Sequence, residues 1–185
     1  MDISNSANLP TKFGDFKIKS FKEKQKEHLV IYKEPFGDTP IVRVHSECLT
    51  GDALGSLKCD CGDQLHYALN LINQKGGMVI YLRQEGRDIG LFNKVNAYAL
   101  QDKGLDTVEA NHQLGFEADM RNFDIVSDIL KHFNISKIQL LTNNPKKLSE
   151  IKDIEIVKRL EIKIEPNKHN KNYLKTKKEK MGHLI

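Results

Sequence analysis

The chain has 185 residues, 39% of them hydrophobic and 29% charged, with a net charge of +4 and no Trp. That length buries most of the surface an unfolded chain exposes, and the composition excludes a disordered or fibrous protein. No run approaches the roughly 18 apolar residues of a membrane span, and the start, MDISNSANLPTKFGDF, does not resemble a secretory signal peptide. The expectation is a cytoplasmic protein with no membrane partner.

DFKIKSF, HLVIYKE and TPIVRVHSE alternate or run in β-branched and apolar residues, with Gly37 and Pro40 between them, so the first third reads as antiparallel strands. Leu65, Ala68, Leu69 and Ile72 then recur at helical spacing up to Gly76 and Gly77. GMVIYL reads as a buried strand. Leu91, Val95, Tyr98 and Ala99 mark a second helix with Gly104 as its C-cap. Ile125, Val126, Ile129, Leu130 and Phe133 mark a third. KIQLLT is a strand, TNNPKK turns into a short helix, and EIVKRLEIKIEP supplies final strands. Strands that cluster early and then alternate with helices predict an α+β (mixed α/β) fold in one domain over residues 1–185. Residues 1–11 are expected to be a flexible terminus and 168–185 a lysine-rich segment. From Lys163 to Lys180 seven lysines stand against two glutamates, which suits either a solvated tail or a cationic patch facing phosphates.

The three cysteines fall within fourteen residues, as Cys48, Cys59 and Cys61. Disulfides are disfavoured in the cytoplasm and an odd count leaves one thiol over. Clustered soft thiolates favour zinc. Structural zinc takes four protein ligands, whereas catalytic zinc keeps three and leaves a place for water. No fourth cysteine exists, so the window favours an open site, although His45 or His66 could close it. Gly51, Gly55 and Gly62 flank the ligands, where backbone must turn tightly.

RQEGRDIGL, Arg83 to Leu91, follows a strand and sets two arginines among carboxylates around Gly86, a pattern suited to a nucleotide. EANHQLGFEADMR carries His112, Asp119 and Arg121, and TNNPKK ends in paired lysines. Neither has the spacing of a phosphate loop.

Taken together, RVHSECLTGDALGSLKCDCG, RQEGRDIGLFNKVNAYALQDKGLDTVEANHQLG, DMR, LLTNNPKK and YLKTKKEKMGHL resemble GTP cyclohydrolase II, in the family's order and from about Lys12 onward. The resemblance implies one zinc ion per subunit on Cys48, Cys59 and Cys61 plus water, Mg2+ accompanying the triphosphate, and a homodimer. It implies substrate contacts at Arg43, Val44, His45, Ser46, Glu47, Gln64, Glu85, Gly86, Arg87, Thr107, Thr142 and Lys147. It also implies Asp119 as proton acceptor, Arg121 as nucleophile and Tyr98 in ring opening. The implied reaction opens the imidazole ring of GTP with loss of formate and pyrophosphate, as the first step of riboflavin synthesis. At this length the stand-alone form is expected, without a fused dihydroxybutanone phosphate synthase. The rival reading is a zinc module that binds nucleic acid through its lysine-rich end. A mild net charge and few interleaved aromatics weigh against it, so no nucleic-acid partner is expected.

Overall fold

The computed structural model describes residues 1–184, which fall into two compact units. The first comprises Met1–His45, Gln64–Arg83 and Asn122–Ile162. The second comprises Ser46–Asp63, Gln84–Arg121 and the chain from Lys163 onward.

The first unit carries the sheet. Its strands among the described residues are β1 (Asp2–Ile3), β2 (Ala7–Thr11), β3 (Gly14–Glu23), β4 (Lys26–Lys33), β5 (Ile41–Ser46), β6 (Gly77–Leu82), β7 (Lys137–Leu141) and β8 (Glu155–Leu160). They form one mixed sheet in the order β1-β3-β4-β6-β5-β7-β8, with β2 also paired to β3. Pairing is antiparallel for β3 with β4 and β4 with β6, then parallel for β5 with β7 and β7 with β8. Of the eight helices among the described residues, α2 (Cys61–Lys75), α6 (Asp124–His132) and α7 (Pro145–Glu150) belong largely to this unit. The α+β class read from the sequence is borne out.

On α6, Ile125, Val126, Ile129 and Leu130 are buried, as their spacing predicts, and they pack with Val42, Val44, Met78, Ile80 and Leu140 of the sheet. Each such side chain contributes about 1.5–3 kcal/mol on burial. Ala68, Leu69 and Ile72 form the buried face of α2.

The second unit holds α1 (Leu49–Asp52), α3 (Glu85–Asp88), α4 (Gly90–Gln101), α5 (Thr107–Gln113) and α8 (Lys171–Met181). Four features depart from the sequence reading. The first eleven residues are not a free terminus, because Asp2–Ile3 and Ala7–Thr11 both pair with β3. The final strand stops at Leu160, and the lysine-rich end folds into α8. Gly104 lies in the turn beyond α4, whose C-cap is Asp102. The buried residues of α4 are Lys94 and Ala97, while Leu91 and Val95 are exposed, so its apolar spacing marks an outward face.

Candidate metal centre and active site

Cys48 is the N-cap of α1, its N–H donating to Asp52 Oδ2 at 3.0 Å, and Cys61 opens α2. These turns bring the Sγ atoms of Cys48, Cys59 and Cys61 within 4.8 Å of one another, with Cys48 and Cys59 3.7 Å apart. Gly51 makes the convergence possible. A Cβ at that position would meet Cys59 Sγ at 2.9 Å and Cys48 Sγ at 3.2 Å. A Cβ on Gly62 would run into the Gly51 carbonyl oxygen. The thiols are free, and three soft donors around a glycine cradle fit a zinc ion. Among the described residues no histidine joins the group. His45 stacks on Tyr81 at 5.4 Å and His66 lies 4.9 Å from the Phe13 ring.

Hydrogen bonds from the Cys59 and Cys61 thiols, with help from the Lys94 ammonium, hold the Cys48 thiol far below its usual range. The bond to Cys48, aided by burial, pushes Cys59 up to about 11, and Cys61 is raised well above the usual thiol value by its bonds to both.

No sequence pattern marks Lys94 as part of the site. This lysine is 7% exposed, and its Nζ lies 3.1 Å from Cys48 Sγ and 2.7 Å from Glu85 Oε1. Burial opposes its charge, but Cys48 and Glu85 outweigh that and raise its pKa. Glu85 is bound on both oxygens. Oε2 accepts from Leu49 N at 2.6 Å, and Oε1 also accepts from Gly86 N at 2.8 Å. Tyr98 joins the cluster through Thr50, whose Oγ1 is 3.3 Å from the phenol oxygen and 3.7 Å from Cys48 Sγ. Burial keeps the phenol protonated by raising its pKa.

The segment after β6 is wound left-handed, with φ near +60° at Gly86 and Arg87 and +74° at Asp88. Non-glycine residues adopt this region only where their surroundings hold them there. Here the Arg87 carbonyl accepts from Met120 N at 3.2 Å, and Arg87 Nη1 donates to Ala118 O at 3.2 Å. The loop thereby fixes the strand of chain that bears Asp119 and Arg121. Those two form a bidentate pair, Nε to Oδ1 at 2.8 Å and Nη2 to Oδ2 at 2.6 Å, with side chains 13% and 10% exposed. Arg121 Nη1 donates to Ser46 Oγ at 3.3 Å, and Ser46 Oγ donates to Gln84 Oε1 at 3.4 Å. Burial works against the guanidinium charge, but Asp119 overrides it and raises the pKa. Thr107 is the first residue of α5, after the Asp106 N-cap.

In the first unit, Arg43, Val44, His45, Thr142 and Lys147 are buried. Arg43 Nη2 donates to Gln64 Oε1 at 2.6 Å and Nη1 to Leu141 O at 3.1 Å. Lys147 Nζ donates to Val44 O at 2.7 Å. The turn that presents Lys147 is built by Thr142 Oγ1, which accepts from Asn144 N, and by Asn144, which caps α7 ahead of Pro145. Of the sequence-predicted residues, Arg43, Gln64, Thr142 and Lys147 thus lie in the first unit, whereas within the second unit Glu85 and Tyr98 are linked to the thiol cluster and Ser46 is linked to the Asp119–Arg121 pair.

The family model described as GTP cyclohydrolase II matches residues 2–161. The chain is 62% identical to the GTP cyclohydrolase-2 of Campylobacter hominis, over all of this chain and 96% of that one. It is 64% identical to that of Campylobacter fetus subsp. fetus, over 98% and 95%, and 58% identical to that of Helicobacter hepaticus, over 100% and 98%. A solved structure, the two-domain 3,4-dihydroxy-2-butanone 4-phosphate synthase RibBX of A. baumannii, aligns at 17% identity and a TM-score of 0.46, over 89% of this chain and 40% of that one. On the family match and these identities, the chain belongs to the GTP cyclohydrolase II family.

Proposed function

We propose that this enzyme hydrolyses GTP with zinc on Cys48, Cys59 and Cys61, opening the imidazole ring at carbon-8. The products are formate, pyrophosphate and 2,5-diamino-6-(5-phosphoribosylamino)pyrimidin-4(3H)-one, in the first step of riboflavin biosynthesis. The observation that carries the reading is the convergence of three thiols around Gly51, in a chain of this family. Bound there, zinc would supply Lewis acidity and activation of water. Three thiolates around a dication leave one excess negative charge, which the buried Lys94 ammonium 3.1 Å from Cys48 offsets. Tyr98, held protonated beside Thr50, is suited to orient the opening ring and to donate a hydrogen bond to the oxygen that develops charge.

Phosphate chemistry is assigned to Asp119 and Arg121. Asp119 sits within 2.6–2.8 Å of two guanidinium nitrogens, where a base that removes an Arg121 proton has to stand. The same contact stabilises the charged guanidinium, which suits Arg121 equally to clamp phosphate oxygens through Nη1. Substrate contacts are proposed at Arg43, Val44, His45, Gln64, Thr142 and Lys147 in the first unit, and at Ser46, Glu47, Glu85, Gly86, Arg87 and Thr107 in the second. Glu85 or Glu47 is proposed as the carboxylate that accepts from guanine. Mg2+ is proposed to accompany the triphosphate, with phosphate and water oxygens as its ligands.

Free thiols suit the cytoplasm. Among the described residues, no helix is long and apolar enough to cross a membrane. A homodimer is proposed through α4, where Leu91, Phe92 and Val95 are 41%, 79% and 53% exposed.

Mass analysis of the product from GTP tests the reaction. Zinc-loaded protein should yield the deformylated pyrimidine with formate and pyrophosphate. Cys59→Ser should lose both zinc and formate release while keeping its fold. A product that retains the formyl group, or full activity in a zinc-free variant, would overturn this assignment.

A further inference from the structure

Two residues after Cys48, in α1, the half-buried Thr50 presents its hydroxyl to two partners. Its Oγ1 lies 3.7 Å from Cys48 Sγ and 3.3 Å from the Tyr98 phenol oxygen. Among the described residues, Thr50 is the one hydrogen-bond partner of that phenol. The Tyr98 ring is held by other groups. Lys58 Nζ lies 4.9 Å from its centre and Lys94 Nζ 5.6 Å. Both ammonium groups are fixed in turn, Lys58 by Asp102 and Lys94 by Glu85, each at 2.7 Å. The ring is therefore placed by cations over its face, whereas the direction of its O–H depends on a single threonine.

We propose that Thr50 is a positioning residue for Tyr98, holding the phenol O–H beside Cys48 and supporting the hydrogen bond that it donates to substrate. An alcohol and a phenol each carry one proton and can donate or accept, whereas a thiolate only accepts. With Cys48 as a thiolate, Thr50 donates to sulfur and its oxygen is left to accept from Tyr98. At 3.3 Å that bond is long for two hydroxyls, so Tyr98 exchanges it for a bond to a substrate oxygen at little cost. The Thr50 hydroxyl then turns to donate to the phenol oxygen. Hydrogen bonds of catalytic groups are often long in the free enzyme and tighten with substrate. Valine keeps the shape of Thr50 and removes the hydroxyl, which leaves the ring under its two cations and the phenol oxygen without its protein partner.

This inference rests on the assignment of Tyr98 to ring opening, and a double-mutant cycle separates the two. Formate release from GTP is followed on the zinc-loaded full chain, with KM and zinc content measured for every variant. Tyr98→Phe should release formate about 100-fold more slowly than wild type. Thr50→Val should lower kcat about 3–10-fold, as the loss of one hydrogen bond does, and Thr50→Ser should recover most of that loss. KM and zinc content should stay at their wild-type values in Thr50→Val, because Lys94 still donates to Cys48. Thr50→Val/Tyr98→Phe should be as slow as Tyr98→Phe and no slower, since a residue that acts through the phenol has nothing left to position. A threonine that only supports the fold would cost the same factor in both backgrounds. If Tyr98→Phe releases formate at the wild-type rate, the assignment of Tyr98 fails and the role of Thr50 with it. If Tyr98→Phe is slow, and Thr50→Val either matches wild type or slows both backgrounds equally, the role of Thr50 is overturned and the assignment of Tyr98 stands.

Discussion

At the scale of single residues, the cysteines were legible because three thiols in fourteen residues is a rare pattern with few chemical uses. Their buried companion was not. Lys94 sits among apolar residues in LFNKVNAYAL, and nothing in the string shows that its helix turns Lys94 and Ala97 inward. Its partners, Glu85 and Cys48, lie 9 and 46 residues away. Asp119 and Arg121 were legible only by resemblance, because an Asp two residues from an Arg is a common surface pair. Burial and bidentate geometry give it weight here. That geometry also says what Arg121 needs. A lysine keeps the charge but loses the fork that spans Asp119 while reaching Ser46. Arg121→Lys is therefore expected to slow pyrophosphate release from GTP by about 100-fold with zinc content unchanged. Release at the wild-type rate would remove Arg121 from the phosphate chemistry.

At the scale of elements, hydrophobic period located α2 and α6 because each buries an apolar stripe. It could not find α8, whose buried residues are Thr176 and Lys177. Ion pairs hold this helix, Lys177 with Asp60 and Lys180 with Asp106 and Glu109 at the start of α5, and they leave no period in the sequence. The α5 end of the second contact is a capping box. Asp106 accepts from Val108 N at 2.8 Å and Glu109 N at 3.0 Å, while Glu109 accepts from Asp106 N at 2.9 Å. Partial burial works against the Asp106 charge, but the Lys180 ammonium and the two N–H groups outweigh it and lower the pKa. A depressed carboxylate stabilises fully above its unfolded value, about 3.9, and the contribution disappears as pH falls through the folded value. Asp106→Ala should accordingly cost about 0.5–2 kcal/mol at pH 7, and in urea melts the gap from wild type should narrow below about pH 4. An equal gap at pH 3 and pH 7 would show that the carboxylate charge is not its source.

At the scale of the molecule, strand content was legible from alternation and β-branching, whereas strand order was not. β4 lies beside β6 and β5 pairs with β7, partners separated by long stretches of chain that local pattern does not encode. The apolar face of α4 is a related case, because spacing identifies an apolar stripe without saying what covers it. Within the second unit that stripe is left uncovered, with Phe92 79% exposed and Leu91 and Val95 beside it on the helix. Thr50 of α1 reaches Tyr98 of α4, and in the loop after α1, tied to the C-cap of α4 through Lys58–Asp102, Leu54 and Leu57 are also 74% and 58% exposed. Apolar surface concentrated on one helix and its neighbouring loop is costly to leave in water and marks an interface. The proposed homodimer would cover it with the same surface of a second copy, since a two-fold interface pairs one patch with itself. Sedimentation of the wild type should then give the mass of two chains. Phe92→Glu sets two like charges at such an interface, and that variant should sediment as one chain while still binding zinc. A dimeric Phe92→Glu protein, or a monomeric wild type, would show that α4 is not the contact.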